Sequence, residues 1–541
     1  MKQIHTLLTA LVAASASFAP LLAAEAGKAP QSGTGHSEAT QKETRILAFH
    51  VPTLDSEPLD IGSRRELFVD NTIIGALRGG AGLHLFEMTP ATTRTNDVAM
   101  TYDADWEGFW CRFAKYIQDQ GVVKVWYLGH CHDQRNPGGN GGRTCYAVSR
   151  DGKRFEKPTL GIFDWFGSTA NNILFDDNTF KGKDGQRLHG QNFACFIDTN
   201  PATPPEARYK GVTGMGGHCG RTGLYALKSA DGIRWEVASD GPIVSKECSL
   251  DSPNQGFWDS ERKRYAVYFR DLVNSKGERG LHAKDWKRSI LVTFSDDFVK
   301  WTEPQLLSYQ YNDGRPEGVA PIDHLYTNEI KPYKRAPHIY LGFPARYSGW
   351  VEPMLMASRD GLHFYRWMEH PVISRSAPAD RNKNRSNHLW QEMIELPDEP
   401  RTYTMYASEN LGIGGPHPDG SFPRVRRFTI RKDGFVSVRA DKEQGELVSK
   451  TLLFKGDTLT VNYNARLAET GSVSVEILDD KQRPVPGFTA ADCDPLTGDE
   501  IDATVTWKGR AEVRSLAGKP IHLRFVIKNA DLFSFRLAGK E

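Results

Sequence analysis

The sequence has no clustered charge, no CxxC pair and, beyond its N-terminal region, no long hydrophobic run. Its 541 residues hold 68 Lys and Arg against 67 Asp and Glu, and the two signs are interleaved along the chain. Nucleic acids and anionic membranes bind clustered basic surfaces, so neither is a predicted partner. No later segment is apolar enough to span a bilayer. Pro and Gly interrupt nearly every window in which a long amphipathic helix would have to form, which favours a β-rich fold.

Cysteine is scarce and scattered. The seven cysteines are Cys111, Cys131, Cys145, Cys195, Cys219, Cys248 and Cys493. Their number is odd, and spacing alone does not determine which of them pair. A Cys131–Cys145 disulfide and buried free thiols are both compatible with the sequence.

The N-terminus has the order of a secretory leader. Lys2 precedes an apolar stretch at residues 7–24, and Ala24, Glu25 and Ala26 form an A-x-A cleavage site. Pro20 and the shortness of the apolar stretch argue against a retained membrane anchor. We therefore predict a signal peptide at residues 1–26, a flexible linker at residues 27–58 and a protein that is secreted or periplasmic.

A short turn motif returns five times at intervals of about 60–80 residues. In it an Asp that can cap its own turn is usually followed by Gly, which accepts a positive φ. A strand rich in aromatic and β-branched residues precedes each copy. The copies are Ser149–Gly152, Ser229–Gly232, Ser295–Phe298, Ser358–Gly361 and, degraded, Arg431–Gly434.

This interval accommodates four short strands with their loops, so five copies predict a five-bladed β-propeller over residues 59–440. A series of unrelated hairpins is the alternative. A propeller has to be closed, and the strand-like segment at residues 64–74 is predicted to complete the last blade.

The sequence pattern changes after residue 440. Short segments alternate with period two between turns, which predicts a β-sandwich over residues 441–541. Its acidic loop, with Asp492, Asp494, Asp499 and Glu500, supplies oxygen ligands of the kind that calcium binds, and a solvated turn is the alternative. No other metal or cofactor is predicted, and the sequence does not indicate an oligomeric state.

Polar residues precede each predicted inner strand of the propeller, and most of these positions include a carboxylate. Because the inner strands of a propeller converge on its axis, residues far apart in sequence can meet there. Glycosidic cleavage needs two carboxyl groups with opposed roles, and a third acid nearby can raise the pKa of the first. The candidates are Trp106, Glu107, His189, Asn192, Asp251, Asn254, Asp323, His324, Tyr326, Asn328, Glu329 and Trp390.

Three of these positions carry a family resemblance. Glu107 stands just ahead of the first inner strand, where family 32 glycosidases have Asp. Residues 251–253 (Asp-Ser-Pro) lead a later inner strand and are followed by the aromatic pair at residues 257–258. An acid of the next inner strand falls on Asp323 or Glu329. Over about residues 60–440 the chain thus resembles the five-bladed propeller glycoside hydrolases of families 32, 43, 68 and 117.

The resemblance implies a catalytic set. Glu107 is then the nucleophile or base, Asp251 the acid that tunes pKa, and Asp323 or Glu329 the general acid, although Glu329 is expected on a sheet face and not at the axis. The implied binders of sugar hydroxyls are His189, Asn192, Asn254, His324, Tyr326 and Asn328, and the implied stacking residues are Trp106 and Trp390. We predict a secreted glycoside hydrolase that cleaves a poly- or oligosaccharide; the alternative is a propeller that binds carbohydrate without catalysis.

Overall fold

The computed structural model describes residues 57–539 apart from 93, 95–96, 109–110, 132–140, 183–184, 186, 216–221, 281–284, 313–314, 320, 322, 349–350, 375–387, 411–421 and 467–469. The predicted signal peptide and most of the predicted linker lie outside the described residues. Within them the protein is all-β, as predicted: they contain no α-helix. In this part of the chain no helix is long and apolar enough to cross a membrane. The short 3₁₀ helices are Gly190–Asn192, Pro205–Ala207 and Arg514–Leu516.

Three four-stranded antiparallel sheets follow one another, each with its strands in chain order. Sheet I comprises Arg112–Asp119, Val122–Cys131, Gly141–Ser149 and Ile173–Asp176. Sheet II comprises Ala194–Ile197, Tyr209–Met215, Gly223–Ser229 and Glu236–Val237. Sheet III comprises Gln255–Asp259, Arg264–Val273, Lys287–Ser295 and Gln305–Leu306.

Two further sheets repeat the pattern with additions. Sheet IV comprises Ile330–Tyr333, Ala336–Gly342, Leu355–Ser358 and His363–Trp367, extended by Ser308–Tyr311 and Pro316–Gly318. A small separate sheet comprises His324–Leu325, Ala345–Tyr347 and Val351–Pro353. Sheet V comprises His388–Ile394, Thr402–Glu409 and Arg424–Arg431, and its outer positions are filled by Thr89–Pro90 and Met100–Thr101 from the N-terminal side.

The five sheets pack face to face in a closed cycle. Separate apolar clusters join sheets I and II, II and III, III and IV, and IV and V, and another joins sheet V back to sheet I. Each interface contains an aromatic pair. In that order the pairs are Phe175–Phe193, Phe196–Phe298, Tyr268–Tyr340, Tyr333–Tyr403 and Tyr116–Tyr406.

Four copies of the repeated motif form the same turn, as their sequence predicts. In each, one Asp oxygen accepts a Ser hydroxyl and two backbone N–H groups, which fixes the turn locally. The four acids are Asp151, Asp231, Asp297 and Asp360. At three interfaces a ring from the neighbouring sheet donates to the carbonyl of the turn glycine: Trp126 to Gly232, Tyr268 to Gly361 and Tyr406 to Gly152.

The fifth copy differs. Asp433 is buried and forms ion pairs with Arg65 and Arg335 instead of capping a turn. The motif therefore begins at the end of the third strand of its sheet in all five places but makes the same turn in four.

Two more sheets share a single apolar cluster. Sheet VI comprises Gly82–Leu85, Val436–Ala440, Ala530–Ala538, Thr458–Ala465 and Asp499–Thr504, with Arg65–Leu67 paired to Ala530–Ala538. Sheet VII comprises Ile74–Gly79, Gly445–Ser449, His522–Lys528 and Ser472–Leu478. A parallel pair, Leu59–Gly62 with Leu452–Phe454, lies outside both.

This pairing corrects the predicted closure. Residues 64–74 do not complete sheet V, because Arg65–Leu67 and Ile74–Gly79 pair with strands of sheets VI and VII. Thr89–Pro90 and Met100–Thr101 lie on sheet V instead. The domain boundary at residue 440 stays a prediction, and strands on both sides of it share the same two sheets.

The cysteines and the acidic loop have ordinary structural surroundings. Five cysteines in the described residues are buried free thiols, and Cys145 is one of them, so a Cys131–Cys145 disulfide is not formed.

In the acidic loop Asp492 pairs with Lys508, and Asp499 pairs with Arg401 and Arg431. No group of three or more His, Cys, Asp or Glu side chains suited to a metal occurs in the described part of the chain.

Candidate functional site

The inner strands of four sheets meet at one buried ion pair. Lys115 of sheet I donates to both oxygens of Glu329, at 2.8 and 2.9 Å, and to Gln255 Oε1 of sheet III at 2.5 Å. The backbone N–H of Gln391, in sheet V, donates to Glu329 Oε2 at 2.9 Å. Burial lowers the pKa of Lys115, and the adjacent Glu329 carboxylate opposes that shift.

The sequence predicts Glu329 on a sheet face. The structure places it among the inner strands instead, in contact with Lys115 and Gln391. Its φ of 44° is unusual for a residue with a side chain. Sequence reasoning missed Lys115, although a lysine within the apolar strand Arg112–Asp119 is a recognisable signal.

Glu107 is enclosed within the protein. Its side chain is fully buried, and Tyr127 donates to Oε1 at 2.5 Å. Lys157 Nζ lies 2.7 Å from Oε2, which also accepts the backbone N–H of Ala104. Burial raises the pKa of Glu107, while the Lys157 ammonium acts in the opposite direction. Both oxygens are occupied by protein donors, so the predicted role as nucleophile or base is disfavoured by the geometry.

Three predicted hydroxyl binders are buried amides whose N–H groups donate to backbone carbonyls. Asn192 and Asn254 both donate to the carbonyl of Leu250, at 3.2 and 3.4 Å. Asn328 donates to the carbonyls of Pro253 and Tyr268, each at 3.2 Å. All three side chains are essentially inaccessible. The prediction that they bind sugar hydroxyls is therefore wrong, because their buried N–H groups donate to the backbone: that of Asn254 within its own loop, and those of Asn192 and Asn328 to distant segments.

Asp251 lies in a cluster of aromatic and basic side chains between sheets III and IV. Its carboxylate is 30% exposed and lies 3.6 Å from Nη2 of Arg270. The Arg270 guanidinium lies 5.2 Å from the ring centre of Tyr326, and the Arg288 guanidinium lies 5.5 Å from the same ring. The structure thus places Asp251 and Tyr326 in one cluster, joined by Arg270, and adds two arginines that are not among the residues predicted from the sequence.

His324 belongs to the same cluster. Its Nδ1 lies 3.2 Å from both the backbone nitrogen and Nη1 of Arg288. Burial and then the charge of Arg288 lower the pKa of His324 to about 4, so its ring is neutral at neutral pH. With Nδ1 accepting from a backbone N–H, the neutral ring carries its proton on Nε2 and is a donor there.

Asp323, the residue before His324, is the second partly exposed acid at this end of the sheets. Its side chain is 28% exposed, and Oδ2 lies 3.9 Å from Nη2 of Arg366. Asp323 precedes His324 in the chain, and Asp251 lies beside the Arg270 that faces Tyr326, so each acid has its own arginine. Glu107, bonded to Lys157, belongs to a different group.

The remaining predicted residues divide by burial. Trp390 is 1% exposed, its N–H donates to Ser408, and its ring stacks on His388, so the prediction that it stacks on a sugar is wrong. Trp106 is half-buried and donates to Asn172. His189 is partly exposed, with Nδ1 3.7 Å from Asp177.

Trp286 is an exposed aromatic residue that sequence reasoning missed. It is 37% exposed, and its ring centre lies 5.5 Å from that of His324 and 5.5 Å from the Arg288 guanidinium. The second and third strands of sheet III carry or adjoin Trp286, Arg270 and Arg288. The site residues that the sequence predicts lie instead at the starts of inner strands. Arg270 had a signal of its own, because it and Asp271 are charged residues between the apolar segments 265–269 and 272–273 of one strand.

Comparisons with known proteins give structural neighbours only. No protein-family model and no curated protein matches the chain. A family 43 arabinoxylan arabinofuranohydrolase from Bacillus subtilis, solved with cellotetraose, is 10% identical with a TM-score of 0.39; the match covers 83% of this chain and 100% of that one. The catalytic domain of a family 62 α-L-arabinofuranosidase from Coprinopsis cinerea is 8% identical with a TM-score of 0.40, covering 64% and 97%.

A third neighbour has a different activity. An N-acetylgalactosamine deacetylase from F. plautii, in complex with blood group B trisaccharide, is 12% identical with a TM-score of 0.40 and covers 64% of this chain and 96% of its own. Glycoside hydrolases, the class that the sequence resembles, thus recur among the similar solved structures, in the company of another carbohydrate-active enzyme.

Proposed function

We propose that sheets I–V are the blades of a five-bladed β-propeller and that sheets VI and VII form a β-sandwich. The cyclic packing supports the first part, because each sheet shares an apolar cluster with the next and sheet V shares one with sheet I. The single cluster between sheets VI and VII supports the second.

On this framework we propose a glycoside hydrolase whose site lies between blades three and four. The observation that carries the proposal is the presence of two partly exposed acids at this cluster: Asp323, which precedes His324 in the chain, and Asp251, which lies beside the Arg270 that faces Tyr326. Hydrolysis of a glycosidic bond requires two carboxyl groups separated by about 5–10 Å. His324 and Tyr326 supply neutral hydrogen-bonding groups of the kind that bind sugar hydroxyls.

A propeller that binds carbohydrate without cleaving it is the second candidate. It is favoured by the burial of Glu107, which leaves two of the three predicted catalytic acids beside the His324 cluster. Binding needs only the hydrogen-bonding groups and an exposed ring, whereas cleavage also needs a proton donor and a base or nucleophile.

The test is glycan cleavage by matched variants. Purified full-length protein, Asp251→Asn and Asp323→Asn are incubated with neutral, acidic and sulfated polysaccharides, and released reducing ends are measured. Asp480→Asn, at an exposed position of sheet VII's loops, is the control. The proposal expects wild type and the control to cleave at least one substrate and each site variant to lose at least 100-fold. Binding by wild type without cleavage of any glycan favours the second candidate.

We also propose that the protein acts outside the cytoplasm, on the basis of the predicted signal peptide at residues 1–26. N-terminal sequencing of the protein recovered from its native host tests this. A mature chain that begins at or near residue 27 supports export, and a chain that retains the leader in the soluble cell fraction contradicts it.

A further inference from the structure

Arg270 and Arg288 present two positive charges on one face of sheet III. Arg270 pairs with Ile290 and Arg288 pairs with Leu272, so the two side chains are diagonal neighbours on the same face. Tyr268 and Ile290 share that face and pack in the apolar cluster with sheet IV. The guanidinium groups therefore lie in the cleft between sheets III and IV, at the end where Asp251 lies.

These charges are not balanced within the described residues. The Arg270 side chain is 5% exposed; its Nε reaches the carbonyl of Ser249 at 3.4 Å, and its Nη2 is 3.6 Å from Asp251. Nη1 of Arg270 is buried and has no hydrogen-bond partner among the described residues. Burial and the neighbouring Arg270 charge lower the pKa of Arg288. One carboxylate thus faces two guanidinium groups.

The surroundings match a sugar ring as well as an anion. Tyr326 lies beside both arginines, and Tyr347 lies 5.5 Å from Arg288. Next to them the exposed Trp286 offers an aromatic surface of the kind on which apolar faces of sugars pack. His324 is neutral at neutral pH, so the uncompensated charge comes from the arginines.

A solely structural role does not explain this arrangement. A buried guanidinium is normally saturated by acceptors, because an unpaired buried donor costs about 1–3 kcal/mol. A planar guanidinium also matches the two oxygens of a carboxylate or the oxygens of a sulfate, and a lysine does not do this as well.

We propose that Arg270, Arg288 and Trp286 form a subsite for an acidic sugar residue, with the arginines bound to its carboxylate or sulfate group and the indole against its ring. The inference rests on the proposed carbohydrate function and names the substrate class. A uronic acid and a sulfate ester present the same anionic chemistry here, and the experiment separates them.

The test is binding of full-length protein to an array of polysaccharides in matched pairs. Each uronate polymer is paired with its carboxyl-reduced form, and each sulfated polymer with its desulfated form. Arg288→Gln and Trp286→Ala are compared with wild type, and Arg150→Gln, an exposed arginine on the turn after sheet I's third strand, is the control. Arg288 and Trp286 are preferred to Arg270 because they are less buried, so the variants retain the fold; thermal unfolding verifies this.

We expect wild type and Arg150→Gln to bind at least one acidic polymer at least tenfold more tightly than its neutralised partner. We expect Arg288→Gln to abolish that preference, and Trp286→Ala to weaken binding to both members of the pair. Preference confined to uronates or to sulfates identifies the anion. Equal binding to both members of every pair, an acid preference that survives Arg288→Gln, or no binding to any acidic polymer overturns the inference.

The outcome is separable from that of the proposed function. Acid-selective binding that depends on Arg288, without cleavage of any glycan, sustains the subsite and rejects the hydrolase. Cleavage of neutral glycans that depends on Asp251 and is unchanged in Arg288→Gln sustains the hydrolase and rejects the subsite.

Discussion

Lys115 and Glu329 form a buried ion pair between the inner strands of sheets I and IV, with Nζ 2.8 Å from Oε1 and 2.9 Å from Oε2. No other described cation approaches this carboxylate within ion-pair distance. The pair therefore links sheets I and IV, which are not neighbours in the cycle, through one buried electrostatic contact.

The first prediction concerns this pair. Lys115→Met leaves a buried carboxylate without its cation, and breaking a buried pair in this way costs about 3–5 kcal/mol. We expect the free energy of unfolding, measured in urea, to fall by that amount. Lys115→Met combined with Glu329→Gln removes both charges and recovers part of the loss. Lys519→Met, at an exposed position, changes stability by less than about 0.5 kcal/mol. A single Lys115→Met loss as small as that of the control contradicts the prediction.

The second prediction separates two acids that the sequence treated alike. Glu107→Gln weakens charge-assisted bonds to Lys157 inside the protein, so we expect it to lose about 2 kcal/mol of unfolding free energy. Asp251→Asn, which is partly exposed, should lose less than half of that. Urea midpoints of the two variants provide the measurement. Unchanged stability of Glu107→Gln with complete loss of glycan cleavage would restore Glu107 as a catalytic residue.

The third prediction concerns the packing of a turn glycine between sheets. Gly152 has a φ of 67°, and a Cβ there would lie 2.5 Å from Cδ2 of Leu396. Gly161 has a φ of 71° with no atom within 4 Å of such a Cβ. Both Ala variants would have a similar positive φ, so the difference between them chiefly reports crowding. We expect Gly152→Ala to be less stable than Gly161→Ala by about 1–3 kcal/mol in urea unfolding. Equal losses would show that Leu396 moves aside freely.

The fourth prediction is a pH dependence. Burial, and secondarily the charge of Arg112, lower the pKa of His388 to about 3. Below pH 6.5 the imidazole is protonated in the unfolded chain and neutral in the folded protein, so the unfolded state binds more protons. Stability therefore falls as the pH is lowered from 6.5 towards 3, with a contribution from His388 of up to about 1.4 kcal/mol per pH unit.

His388→Gln removes this contribution, whatever its effect on stability at pH 7. We expect a shallower decline of the urea midpoint between pH 6.5 and pH 4.5 in this variant than in wild type. Gln444→Ala, at an exposed residue without an ionisable group, should keep the wild-type slope. Parallel slopes for His388→Gln and wild type contradict the assigned pKa.

The features that could be predicted from the sequence are those that depend on local chemistry. Asp151 and its three equivalents cap their turns with neighbouring backbone groups, so a short motif was enough to locate four of them. The strands before each turn could be predicted as well, because their aromatic and β-branched residues favour extended structure locally. The all-β class was also accessible, because Gly and Pro exclude long helices throughout the chain.

The errors arose where distant segments meet. Residues 64–74 have the composition of a strand, but their pairing with strands more than 300 residues away is not encoded in that composition. Asn192 and Asn328 are polar at the positions that the prediction selected, yet whether such an amide meets a sugar or a backbone carbonyl depends on how closely a distant segment approaches it. Trp286 was missed because exposure is a property of the packed structure.

Early and late strands of the described residues pair with each other, and this pairing has a consequence for biosynthesis. Sheet V is complete only when Arg424–Arg431 meets residues 89–101, and sheets VI and VII combine residues 59–85 with residues 436–538. A nascent chain on the ribosome can form sheets I–III as they emerge, but the strands at residues 59–85 have no partners until residues 436–454 and 534–536 have been made. Such long-range pairing slows folding and leaves strand edges exposed in the interval. Removal of either group of strands therefore removes the partners of the other, and sheets VI and VII can be completed only after residues 436–538 have been synthesised.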